Sequence, residues 1–262
     1  MTASPAPGLT VPREVPYAFR YRLPEEFVAV REPATTESWS AVLAEIMPGA
    51  IPSELARAAD SMRRSVPLFM ESHDTLVDVA LCMGAERVRG QDMLSYGLVM
   101  VSARPSDHDD RLLAAEGMYR AKERQLFAGE ADLEELDFPL GKGLRGRQDT
   151  LLASKLPSGP GVMSASLRSV TLRTTSDAGA DTQRIPMAVL QLIIPAPHDY
   201  CVYVTVSTPS VYLLDSYSER LAHIGRTFSF DPSTPEGAPP VKEASGFPRA
   251  AAAPAAPHGD GA

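Results

Sequence analysis

Cysteine is scarce in this chain. Only Cys82 and Cys201 occur in 262 residues, and both fall inside apolar, strand-like runs. That setting predicts two buried thiols and no disulfide, because an unpaired cysteine packs as a small hydrophobe. Metal-ligand spacings are missing too. The five histidines stand at 73, 108, 198, 223 and 258, with no His-x-x-x-His or Cys-x-x-Cys, so no metal and no cofactor is expected. Basic charge is in deficit, with 25 Lys and Arg against 33 Asp and Glu and a net charge of -8. An acidic balance argues against nucleic acid and anionic membranes as partners. No run approaches the roughly 20 apolar residues that span a bilayer. Met1 to Pro16 holds four prolines but no basic stretch followed by an apolar one. Neither membrane insertion nor a signal peptide is predicted, and the expected location is cytoplasmic. A Gly-x-Ser-x-Gly nucleophile elbow and a Walker phosphate loop are also missing.

What is present is a buried sheet. With 44% apolar residues, the chain can enclose one substantial core or two small ones. Met187 to Ile194 is apolar on both alternating sets apart from Gln191, as in a strand covered on both faces. Pro195 to Asp199 supplies a turn, and Tyr200 to Ser207 follows as a strand with Val202, Val204 and Val206 on one face. Thr208 and Pro209 then open a helix in which Leu213, Leu214, Tyr217, Leu221 and Ile224 recur at helical spacing. Gly225 stops that helix, and Thr227 to Phe230 closes as a short strand.

Upstream, Tyr17 to Arg22 and Phe27 to Arg31 flank a turn and read as an opening hairpin. Thr36 caps a helix with Trp39, Val42, Leu43 and Ile46 on one stripe, and Ile51 to Met70 is a second helix that Pro67 should kink or end. Leu76 to Met83 and Asp92 to Ala103 are strands joined by residues 84–90, and Gly97 marks a bulge or a close backbone approach. Ser106 or Asp107 caps a helix from Asp109 to about Phe127, whose Leu112, Ala115, Tyr119 and Leu126 should face the core. Short strands at 132–138 and 144–153 precede a break at Pro157 to Gly161 and an alternating strand from Val162 to Thr174. Residues 1–16 and the Pro/Ala-rich stretch 232–262 lack periodic apolar residues and are expected to be disordered. One α+β domain over residues 17–231, a mostly antiparallel sheet flanked by helices, is therefore predicted.

The layout resembles the Mog1/PsbP-like fold. The resemblance rests on the opening Tyr-x-Phe-x-Tyr-x-Leu-Pro-x-x-Phe stretch (Tyr17 to Phe27), the meander, and a helix with a short strand ending in Phe228-Ser229-Phe230. That group includes LpqN-type lipoproteins and Eag-type chaperones of secretion effectors. It implies a role in binding proteins or assemblies. The chain departs from the lipoproteins in having no lipid-attachment cysteine, and carries more helix between its first two sheet segments than compact members.

Several constellations carry possible chemistry. The stretch Gly141 to Arg147, with Lys142, Arg145 and Arg147, could cradle a phosphate, although a hairpin turn with an exposed strand explains it as well. Ser106 to Asp110 reads as a helix cap rather than a metal site. Glu71-Ser72-His73-Asp74 places triad residue types in sequence without the spatial convergence a triad needs. Met62, Met70 and Met118 on helices and Met83, Met93, Met100, Met163 and Met187 on strands could line a groove for a partner helix or fill the core. Tyr200, Tyr203, Tyr212 and Tyr217 are close in sequence and could anchor an interface, although packing within the sheet and helix explains any one of them as well. The expected function is a non-catalytic protein-binding module, such as a secretion-linked chaperone or adaptor. The alternatives are a small-molecule or phosphate binder using Gly141 to Arg147, and an immunity or structural component of an assembly.

Overall fold

A computed structural model describes residues 19–70, 74–127, 149–176, 179–197 and 199–230. In chain order these form β1 (Phe19–Arg20), β2 (Val28–Ala29), α1 (Thr36–Ile46), α2 (Pro52–Ser65), β3 (Thr75–Val88), β4 (Gln91–Pro105) and α3 (Arg111–Phe127). There follow β5 (Thr150–Leu156), β6 (Gly159–Ser176), β7 (Gly179–Pro195), β8 (Tyr200–Thr208), α4 (Leu214–Thr227) and β9 (Ser229–Phe230). Seven strands make one sheet in the order β2-β3-β4-β8-β7-β6-β5, antiparallel at every pairing, and β1 pairs with β9 in a second, two-stranded sheet. The fold class is α+β.

Alternation along the strands decides which residues meet which helix. Val99, Val101, Val202, Val204, Val206, Leu190, Leu192 and Ile194 share one face, and α4 lays Tyr217, Leu221 and Ile224 across it. The opposite face is covered in two pieces. Over β3 and β4, Trp39 and Leu43 of α1 and Ala59 of α2 pack on Val79, Leu81, Leu98 and Met100. Over β6, β7 and β8, Ala115 of α3 packs on Val162, Ile193 and Cys201. Both cysteines are buried and free, and Met187 to Ile194 lies in the sheet interior.

Several local expectations are corrected. The N-terminal segments form no hairpin with each other. The turn in which Phe27 N donates to Pro24 O parts them, so that β1 joins β9 and β2 joins β3. Phe19 stacks on Phe228 at 5.2 Å, and Tyr21 Oη donates to Asp78, which holds the first segment against the last. The β3–β4 connection is two residues, not seven. Arg89 and Gly90 both adopt positive φ (50° and 84°), the geometry of a tight hairpin turn, so residues 84–88 extend the strand.

Capping residues also differ. Thr35, not Thr36, accepts from Ser38 N at the start of α1, and Asp110 caps α3 by accepting from Leu112 N and Leu113 N. Leu112 of α3 is exposed, while Ala115 and Leu126 are buried. Thr208 ends β8, where its hydroxyl donates to Tyr96 O and accepts from Ser210 N, and α4 begins only at Leu214. α4 runs through Gly225 because that glycine meets the sheet, and a Cβ there would stand 2.8 Å from Leu192. Pro67 does end α2, which passes into a 3₁₀ turn over Val66–Phe69.

Candidate functional site

The helices leave a strip of the second sheet face between them, and the sequence makes that strip polar. Strand pairing sets Met100, Thr205, Gln191 and Ser164 in one row across β4, β8, β7 and β6, with Ser102, Tyr203, Ile193 and Val162 in the next. Ser207 and Ser166 continue the polar side chains one row further along their strands. Ser102, Ser164, Ser166, Thr205 and Ser207 are all buried. The reverse of the same strands carries Val99, Val101, Ala165, Leu167, Leu190, Leu192, Ile194, Val202, Val204 and Val206 in the core beneath α4, with Ser95 and Thr208 buried on the same side. Gln191 Nε2 donates to Thr205 Oγ1 at 3.0 Å, which fixes the two side chains against each other.

Above this floor lies a cleft of about 330 Å³. Met70, just after α2, forms one wall, Met118, Ala121, Lys122 and Gln125 of α3 form the other, and Met100, Ser102, Gln191, Tyr203 and Thr205 form the base. Three thioethers from three separate elements thus converge on hydroxyl and amide groups. One end is closed by Asp74 and Arg104, joined by two hydrogen bonds of 2.6 and 3.2 Å. The Arg104 guanidinium carbon lies over the Tyr203 ring, 4.5 Å from its centre, a cation–π contact.

Behind that end, the strand termini are tied by small polar bridges. His108 contacts Ser106 Oγ at 3.0 Å and Ala196 O at 3.2 Å; since a carbonyl only accepts, Nε2 donates to it. Burial raises the Cys201 thiol to about 11, although the Ser106 hydroxyl and the Arg104 charge partly offset it. This thiol is a core group. Among the described residues no group of three or more His, Cys, Asp and Glu side chains is placed to hold a metal ion, and no helix is long and apolar enough to cross a membrane.

The four tyrosines singled out in the sequence do not come together. Tyr203 lines the cleft. Tyr217 is wholly buried beneath the opposite sheet face, a correction to its reading as an interface anchor. Its hydroxyl lies 2.9 Å from Ser95 Oγ and 3.5 Å from Cys82 Sγ, and its ring carries the Arg220 guanidinium at 4.6 Å. Tyr212 packs against the same core and donates to Leu94 O, while Tyr200 begins β8 opposite Pro105. Lys142, Arg145 and Arg147 lie outside the described residues, as do 1–16 and 232–262.

Cleft residues that sequence reasoning did not assemble are Ser102, Arg104, Asp74, Gln191 and Thr205. Their trace was visible as Gln191 within an otherwise apolar strand. No protein-family model matches the chain, and no curated protein matches it.

Proposed function

We propose that the chain is a non-catalytic protein-binding module and that the cleft between Met70 and α3 receives a segment of a partner protein. The observation that carries this reading is the convergence of Met70 and Met118 on a floor that sets Met100 among Ser102, Gln191 and Thr205. Methionine is unbranched and polarisable, and suits surfaces that must fit an incoming side chain rather than a fixed core partner. Tyr203, held by Arg104, adds the rigid aromatic anchor common in protein interfaces. A secretion-linked chaperone or adaptor is the form such a module would take. The grouping with Mog1/PsbP-like proteins belongs to the same proposal, since that group acts mainly by binding proteins.

The test is site-specific crosslinking. A photoreactive residue at Ala121, in the cleft wall, should capture a discrete partner in extracts of the source cell. The same group at Arg89, in the distant β3–β4 turn, should not. Met118→Lys or Tyr203→Ala should abolish capture, with circular dichroism at the assay temperature checking that each variant is folded. Equal capture from Ala121 and Arg89, or capture indifferent to both substitutions, would refute the reading.

A further inference from the structure

The chemistry of the cleft floor limits what can be seated there. Gln191, Thr205 and Ser102 are uncharged, and all three line the cavity. The 3.0 Å bond uses one Gln191 N–H and one lone pair of Thr205. The second Gln191 N–H, the Gln191 carbonyl, the Thr205 hydroxyl proton and the Ser102 hydroxyl remain as three donors and several acceptor lone pairs. Such a set complements an amide, which brings both a carbonyl and an N–H. The thioethers of Met70, Met100 and Met118 offer an apolar lining for an aliphatic body beside it. At the end of the cleft, Asp74 and Arg104 satisfy each other in a two-point ion pair and place no net charge on the floor.

We infer that the cleft selects an uncharged, amide-bearing aliphatic residue of its partner and discriminates against the same residue when ionised. This rests on the reading of the cleft as a protein-binding site. An ionised group lowered onto the floor would lose hydration without gaining a counter-charge there, and burying charge on those terms is strongly unfavourable. The opposing influence is Lys122 in the wall, which favours an anion, so the comparison between neutral and anionic ligands is the decisive one.

Three capped leucines separate charge from shape, since all share one aliphatic body. N-acetyl-leucinamide is neutral, N-acetyl-leucine is an anion, and leucinamide below neutral pH is a cation. Full-length protein labelled at the methionine methyl carbons reports binding directly through the Met70, Met100 and Met118 signals, each assigned with a Met→Leu variant. The neutral probe should shift these three signals at millimolar concentration, and the charged probes should need roughly tenfold more. Gln191→Leu should weaken the neutral probe up to about tenfold, the worth of one lost hydrogen bond. Thr205→Val, nearly the same in shape, provides the check if the first variant is poorly folded. Equal or tighter binding of the anion overturns the inference, as does the absence of any shift. Crosslinking from Ala121 is independent of these probes. If it captures a partner while the probes fail, the binding site stands and only its selectivity is lost.

Discussion

Replacing Gly97 with alanine should destabilise the protein through one identifiable collision. A Cβ at this position would lie 2.4 Å from Cε1, 2.9 Å from Oη and 3.0 Å from Cζ of Tyr217. The ring is fully buried and held by Ser95, Cys82 and Arg220, so it can retreat only by giving up those contacts. Overpacking of this kind costs about 1–3 kcal/mol, and a misplaced buried hydroxyl adds about 1 kcal/mol or more. A total near 3 kcal/mol lowers the melting temperature by roughly 6–12 °C in a chain of this size. The sign is informative, since alanine for glycine in an unstrained strand would otherwise stabilise slightly. Thermal melts of Gly97→Ala, Tyr217→Leu and the double variant complete a cycle. In the Tyr217→Leu background the alanine should cost far less, because the atom it strikes is gone. Additive losses, or a Gly97→Ala melt within about 2 °C of the parent, would refute the steric account.

Two further outcomes are expected. Glu86 accepts from Ser95, Ser216 and Arg220; burial pushes its carboxyl upward, but these bonds and the Arg220 charge outweigh it and hold the group below its ordinary 4.5. A depressed carboxyl contributes stability above its unfolded value and loses it as pH falls through the folded one, so Glu86→Gln should flatten the stability curve below about pH 4.5, measured by urea melts across pH. Both thiols should resist a water-soluble thiol reagent in the native state, since burial raises Cys82 and holds Cys201 near 11, and both should react once the chain is unfolded; stoichiometric labelling of either in native protein would contradict their burial.

The parts of the fold written in local periodicity were legible. Trp39, Val42 and Leu43 recur on one stripe of α1 and are buried as that stripe predicts, and the all-valine face of β8 is buried as alternation requires. Gly97 marked a close backbone approach, which turns out to be to Tyr217. What failed depended on contacts distant in sequence. A hairpin between the first two segments was locally reasonable, but Phe19 finds its stacking partner in Phe228. The cleft was hidden for the same reason, since its lining comes from six parts of the chain between Met70 and Thr205. Only Gln191, Ser164 and Ser166, polar residues on strands otherwise suited to burial, hinted at it. Tyr217 is buried with Leu221 and Ile224, as its place on their helical stripe predicts, and only its further reading as an interface anchor falls away.

The pairing of Phe19 with Phe230 has a consequence for how the chain folds. Arg22 N donates to Thr227 Oγ1, and Arg220 reaches back to Glu26, so the first and last elements depend on each other across nearly the whole sequence. Closing a loop costs about (3/2)RT ln n, which for two hundred residues is roughly 5 kcal/mol. That cost must be met before the stacked rings at the seam contribute anything. The long strand pairs β3–β4 and β6–β7 join segments adjacent in sequence and carry no such burden. The seam should accordingly form late and open first, with hydrogen exchange at Phe19, Arg20 and Phe230 outrunning that of β7 and β8, and the strands that floor the cleft should be among the slowest to exchange.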